Sequence, residues 1–236
     1  MVVCWIAYRR ESMLRDEFVR EQSFADERDG LKAQLLSLVS LDAIERAKKG
    51  GAGIADAYGE VTVIFCDLAG FTSLAERIAP VHLVELLNDV FSALDQLAHA
   101  CHVEKVKTIG DAYMAISGTA NDHRNSAEDA AEFALQVSAQ AIRLAEAFGH
   151  PLAFRIGMHT GSLIGGVVGR QKMTHDYWGR TVNLASRLES SGVPGKIQVS
   201  EATFWRLSNK YDLEKRGPLE LKGIGTTETY FLLGRN

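Results

Sequence analysis

The chain has 236 residues, of which 46% are apolar and 24% charged, a balance that excludes a wholly disordered, collagen-like or coiled-coil polypeptide and allows one sizeable core. Its 26 basic and 30 acidic side chains leave a net charge of −4, so no global positive field exists to grip nucleic acid, and DNA or RNA is not expected as a partner. Cys4, Cys66 and Cys101 are odd in number and scattered, with no CxxC pair, which argues against a disulfide framework or a structural zinc site and for a reducing, cytoplasmic compartment.

No run approaches the roughly 20 apolar residues that cross a bilayer. The start, Val2 to Tyr8 followed by Arg9 and Arg10, fits either the inner, cytosolic end of a membrane helix or a frayed apolar helix start. It lacks the basic region that opens a secretory signal. Residues 9–32 hold six basic and seven acidic side chains and read as a solvated helix, with Glu11–Arg15 and Asp16–Arg20 in the favourable i, i+4 order. Leu14, Phe18 and Ala25 form a thin apolar stripe that Leu31, Leu35, Leu36, Leu38 and Val39 thicken. Such a stripe is expected to pair with a second copy, packing on its own domain being the alternative. Gly50, Gly51 and Gly53 break the helix, because three glycines in four positions cost too much backbone entropy. The boundary falls there, with a dimerisation helix and linker over 1–53 and a folded domain over 54–236.

Val61 to Phe65 is a short β-branched run, as a buried strand requires. A helix is predicted from Pro80 to His99, where Val81, Val84, Leu87, Val90 or Phe91 and Leu94 recur at helical spacing. Residues 102–109 and 112–116 flank Gly110-Asp111 as a β-hairpin, and Ala127 to Phe148 is Ala-rich and helical. Leu152 to Met158 alternates as a strand, Gly161 to Gly169 reads as a turn and second strand, and Val182 to Ser190 suits a helix. Ile197 to Ser200 and Glu220 to Leu233 supply later strands. The order β-α-β-β-α-β predicts an α+β fold: a ferredoxin-like, split βαβ core with additional strands and helices, preceded by the N-terminal helix.

Two carboxylates stand at adjacent strand ends, Asp67 after the first strand and Asp111 at the hairpin tip. Such a pair can hold Mg²⁺, which takes one or two carboxylates together with substrate phosphates. A helix cap at Asp67 and a turn residue at Asp111 are the alternatives. Other templates are missing: the chain has no GxxxxGK[ST], no HExxH and no GxSxG.

Phe65-Cys66-Asp67-Leu68-Ala69-Gly70-Phe71-Thr72, Lys105-Val106-Lys107-Thr108-Ile109-Gly110-Asp111-Ala112-Tyr113-Met114 and the run from Asp176 through Trp178-Gly179-Arg180-Thr181-Val182-Asn183 to Arg187-Leu188-Glu189-Ser190 closely resemble three motifs of the class III nucleotidyl cyclases. The resemblance extends from about Gly59 to Gly234. It implies conversion of a nucleoside triphosphate to its 3′,5′-cyclic monophosphate and pyrophosphate, with Asp67 and Asp111 binding two Mg²⁺ or Mn²⁺ ions per active site. Asn183 would orient the ribose and Arg187 would neutralise charge at the α-phosphate. These two lie four residues apart and so share a helix face, and a guanidinium suits an oxyanion because it is permanently charged and forked. Lys222 matches a family lysine on the triphosphate, and Phe71 and Thr72 join the substrate-binding set. A further family arginine is replaced by Gln171, flanked by Arg170 and Lys172.

At the family's base-recognition positions stand Lys107 and Asp176, where adenylate cyclases of this family use Lys with Asp or Thr and guanylate cyclases use Glu and Cys. An amine can meet a ring nitrogen of adenine and a carboxylate its amino group, whereas guanine presents the reverse polarity. The expected substrate is therefore ATP, with guanylate or mixed specificity and a silent nucleotide-binding domain as alternatives. The family divides base and metal contacts of one site between two subunits, and one chain carries the full set. A head-to-tail homodimer is expected, joined also through the N-terminal helices, which would relay a signal from an upstream sensor or membrane domain.

Overall fold

The computed structural model describes residues 55–120, 125–169 and 174–236; the expected N-terminal helix, its linker, the boundary near residue 53 and the segment around Gln171 lie outside the described residues. Ala55–Gly165 with Asp176–Asn236 forms one compact unit, and Gly166–His175 is assigned to a second.

Strand β1 (Ala55–Leu68) sends Val61, Val63 and Phe65 into one apolar cluster and Ile64, Cys66 and Leu68 into another. Side chains alternate across a strand, so β1 is covered on both faces and reads as an unbroken apolar run. Helix α1 (Phe71–Ala75) is a single turn entered through Gly70 in the left-handed region, and Asp67 does not cap it. Helix α2 (Pro80–Ala100) buries Leu86, Val90, Leu94 and Ala98, a four-residue spacing that makes one stripe. Strands β2 (Glu104–Ile109) and β3 (Ala112–Ser117) form the expected hairpin. Helix α3 (Ser126–Phe148) starts where the Asn125 side chain accepts from the Ala127 and Glu128 N–H groups and stops at left-handed Gly149.

The rest of the chain comprises β4 (Phe154–Val168), β5 (Thr174–Trp178), α4 (Arg180–Ser190), β6 (Ile197–Ser200), α5 (Glu201–Leu207), β7 (Tyr211–Leu221) and β8 (Gly225–Arg235). The sheet order is β2-β3-β1-β4-β6-β8-β7, with β5 paired to β4. Its first four strands, linked β1-α2-β2-β3-α3-β4, are the split βαβ core that the sequence predicts. Strand β6 extends it in parallel with β4, and the β7–β8 hairpin extends it antiparallel. Helices α2 and α3 pack on one face, while α4 contributes Ala185 to the cluster on the other.

Two expectations are corrected. The turn expected within Gly161–Gly169 is absent, because β4 continues to Val168. Its glycines make room instead: a Cβ on Gly161 would lie 2.8 Å from Thr181 Oγ1, and one on Gly165 2.7 Å from the Tyr177 ring. The region expected as strand over Glu220–Leu233 is broken at residues 222–224, where β7 turns back into β8.

The tightest of these approaches is at Gly157. A Cβ there would stand 2.1 Å from the Glu189 nitrogen and 2.7 Å from the Ala185 carbonyl oxygen, so the backbone of α4 rests directly on β4. Gly157→Ala is expected to destabilise the fold by about 1–3 kcal/mol or more through overpacking. Gly59→Ala, with nothing within 4 Å of the added Cβ, should stay within about 0.5 kcal/mol. Urea unfolding followed by circular dichroism checks both, and equal effects would contradict the close contact.

Candidate active site

Asp67 lies at the end of β1 on the side of Val61, Val63 and Phe65, which faces α4. Its register partner is Ala112, so the preceding hairpin-turn residue, Asp111, comes to lie beside it. Burial is the main cause that raises the Asp111 pKa, and the Asp67 carboxylate adds to it against a backbone hydrogen bond that lowers it. Two hard oxygen donors are thus brought together by strand pairing. Among the described residues no three His, Cys, Asp or Glu side chains form a metal cluster, and Asp67 with Asp111 offers the oxygen donors that a hard divalent cation would take.

The same centre contains two residues whose roles are not legible in the sequence. Arg155, on β4, donates through Nη2 to Asp67 Oδ2 and through Nε to Glu189 Oε1 at 3.2 Å. Burial in the first place, and the Asp67 charge in the second, push the Glu189 pKa up to about 7, with Arg155 opposing them. A charged residue inside the otherwise apolar run Phe154 to Met158, two positions before a glycine, is the only sequence signal for this arrangement.

Asn183 and Arg187 project from the exposed face of α4, opposite buried Leu184, Ala185 and Leu188. Glu189, on the same helix, is buried and bonded to Arg155. Lys222 is exposed in the turn between β7 and β8, which the Ile224 N–H closes by donating to the Leu221 carbonyl at 3.0 Å. Leu221, Leu219 and Ile224 pack against Leu184 and Leu188. That small cluster fastens the Lys222 turn to the helix bearing Asn183 and Arg187, residues far apart in sequence.

Lys107 and Asp176 meet directly, Nζ donating to Oδ2. The Lys107 side chain is 38% exposed and that of Asp176 18%, so a partly exposed amine donor and a mostly covered carboxylate acceptor stand side by side. Asp176 Oδ1 also accepts from the Tyr177 N–H at 2.9 Å, which fixes its orientation. The pair is offset from the acidic centre along the hairpin, because Lys107 pairs with Met114, two register positions from the Ile109–Ala112 pair that precedes the turn bearing Asp111. The Phe71 ring packs on the core, and Thr72 is exposed. A depression of about 440 Å³ lies behind this segment, lined by Leu68, Gly70, Phe71, Arg77 and Leu152 among others, and neither Asp67 nor Asp111 borders it.

Residues 54–234 match the family profile of the adenylate and guanylate cyclase catalytic domain. The chain belongs to the class III adenylate and guanylate cyclase family. The cyclase domain is 37% identical over 223 residues to an adenylate cyclase of Mycobacterium tuberculosis, covering 94% of this chain and 50% of that protein. It is 36% identical to retinal guanylyl cyclase 2 of Mus musculus, covering 95% of this chain and 21% of that protein. The chain thus spans half or less of these curated relatives. Among solved structures, the guanylate cyclase domain of RhGC from Catenaria anguillulae in complex with GTP superposes with a TM-score of 0.74 at 32% identity, over 77% of this chain and all of that one.

The exposed placement of Asn183 and Arg187 makes a prediction about stability. Asn183→Ala and Arg187→Ala should each change the unfolding free energy by no more than about 0.5 kcal/mol. Thermal denaturation checks this, and a loss of several degrees would show that these side chains support the fold.

Proposed function

We propose that the cyclase domain converts ATP to 3′,5′-cyclic AMP and pyrophosphate, in two equivalent sites shared between two copies of the chain. The observation that carries this reading is the meeting of Asp67 and Asp111 at neighbouring strand ends. Two Mg²⁺ or Mn²⁺ ions held there would lower the pKa of the ribose 3′-hydroxyl and offset the charge on departing pyrophosphate. The 3′-oxygen attacks the α-phosphorus in line, the bond to the β-phosphate oxygen breaks, and the hydroxyl proton leaves to solvent. Asn183 hydrogen-bonds the ribose and holds the attacking oxygen in line. The Arg187 guanidinium bonds the α-phosphate oxygens as their charge grows. Lys222 binds the triphosphate as a point charge, and the Phe71–Thr72 segment receives it next to Asp67.

The adjacent donor and acceptor of Lys107 and Asp176 support adenine, whose neighbouring ring nitrogen and amino group have the complementary polarity. Guanine would leave both groups mispaired, a cost large enough to discriminate strongly. Guanylate or mixed specificity is the second reading, favoured by the similarity to guanylyl cyclases, and a silent nucleotide-binding domain is the third. The presence of the full set of groups on one chain supports a head-to-tail homodimer. The N-terminal residues would pair and relay the state of an upstream sensor or membrane domain to the catalytic halves.

Incubating the purified chain with ATP or GTP, each with Mg²⁺ or Mn²⁺, and separating the products by chromatography should give cyclic AMP as the main product. Cyclic GMP would keep the chemistry and overturn the base assignment, while no cyclic product from a verified dimer would favour the silent domain. Chains carrying Asp67→Ala and chains carrying Arg187→Ala should each lose at least about a hundredfold in turnover. Mixed, they should regain partial activity, since one site of each heterodimer is intact. Failure of folded, paired chains to complement would contradict a shared site.

A further inference from the structure

Building on the metal-binding reading of Asp67, we infer that Arg155 is a positioning residue for that site. Its guanidinium aims the Asp67 carboxylate and sets how tightly the carboxylate pair holds a cation, while Glu189 keeps the guanidinium in place. The inference comes from a chain of contacts. Arg155 donates with one arm to Asp67 Oδ2 and with Nε to Glu189 Oε1 at 3.2 Å. The Asp67, Glu189 and Arg155 side chains are 13%, 10% and 33% exposed, so all three are largely withdrawn from water. Glu189 itself cannot drift, because α4 rests on β4 at Gly157, two residues from Arg155 and on the same face of the strand.

The geometry has two consequences. The planar fork lets one permanent charge serve two carboxylates at once, and it holds the Asp67 carboxylate through Oδ2. With Glu189 as a second acceptor, the guanidinium stays paired when Asp67 shares its electrons with another cation. The same positive charge repels that cation, since charges at this separation in a partly buried site interact strongly. Arg155 therefore weakens metal binding to the free domain while improving the aim of the ligand.

The test is Mn²⁺ binding to the folded, nucleotide-free chain, read from loss of the free-ion signal in electron paramagnetic resonance, together with turnover. Arg155→Gln should tighten Mn²⁺ binding on the order of tenfold, the scale on which a neighbouring cation shifts proton binding to a carboxylate, and yet lower kcat by at least about tenfold through lost alignment. Arg155→Lys keeps the charge and loses the fork, so its Kd for Mn²⁺ should remain within about twofold of wild type with kcat still reduced. A purely structural role would change melting temperature and leave the Kd of the folded protein alone. Unchanged or weaker Mn²⁺ binding in Arg155→Gln overturns the inference, as does Arg155→Lys with wild-type kcat, which decides alone if Arg155→Gln does not fold. Asp67→Ala is the separate control: wild-type Mn²⁺ binding in that variant would instead overturn the metal-binding reading.

Discussion

The contact of helix α4 with strand β4 at Gly157 is the constraint on which the candidate site depends. With no side chain at that position, the helix backbone descends onto the sheet to a distance that a single methyl group would forbid. Three consequences follow from the depth of that seat. Glu189 is carried inward to Arg155, Asn183 and Arg187 are left outward on the exposed face, and Leu184 with Leu188 is presented to the turn that holds Lys222. One close approach therefore sets the positions of groups from three separate parts of the chain.

Electrostatics divides the surface into two regions of different character. Around Asp67, the carboxylates of Asp67 and Glu189 share one guanidinium, and Asp111 feels its charge through space. Burial makes the ionised forms expensive there, which is why the pKa values of Asp111 and Glu189 rise. Lys107 and Asp176, by contrast, neutralise each other and remain partly solvated. The first region is short of positive charge, and the second presents polarity of a fixed sense without net charge.

Similarity to adenylate and to guanylyl cyclases at nearly equal identity follows from the same physics. A shared fold constrains many residues. Discrimination between purine bases rests on the polarity of a few donors and acceptors, which leaves the overall identity almost untouched.

Much of the fold was legible in the chain. The apolar run of β1, the Gly110 hairpin and the split βαβ order are local patterns that side-chain burial imposes directly, whereas in α2 the helix was legible but its buried face was not: Val81 and Val84 are exposed, and the stripe runs through Leu86, Val90, Leu94 and Ala98. The carboxylate pair was visible as two strand-end aspartates, because strand pairing brings such ends together. The glycines of β4 were misread as a turn, since a glycine kept for clearance and a glycine kept for a bend look alike until the neighbour is known. Arg155 and Glu189 were silent for a related reason: their meaning lies in each other and in Asp67, at separations of 34 and 88 residues. Residue types and periodicity thus determined the class of fold, and the resemblance of three motifs to the class III nucleotidyl cyclases pointed to the family and the candidate chemistry. Only tertiary structure decided how deeply α4 sits, which carboxylates share a cation and which turn lies beside the helix, because these depend on clearances and charges between segments that the chain brings together only on folding.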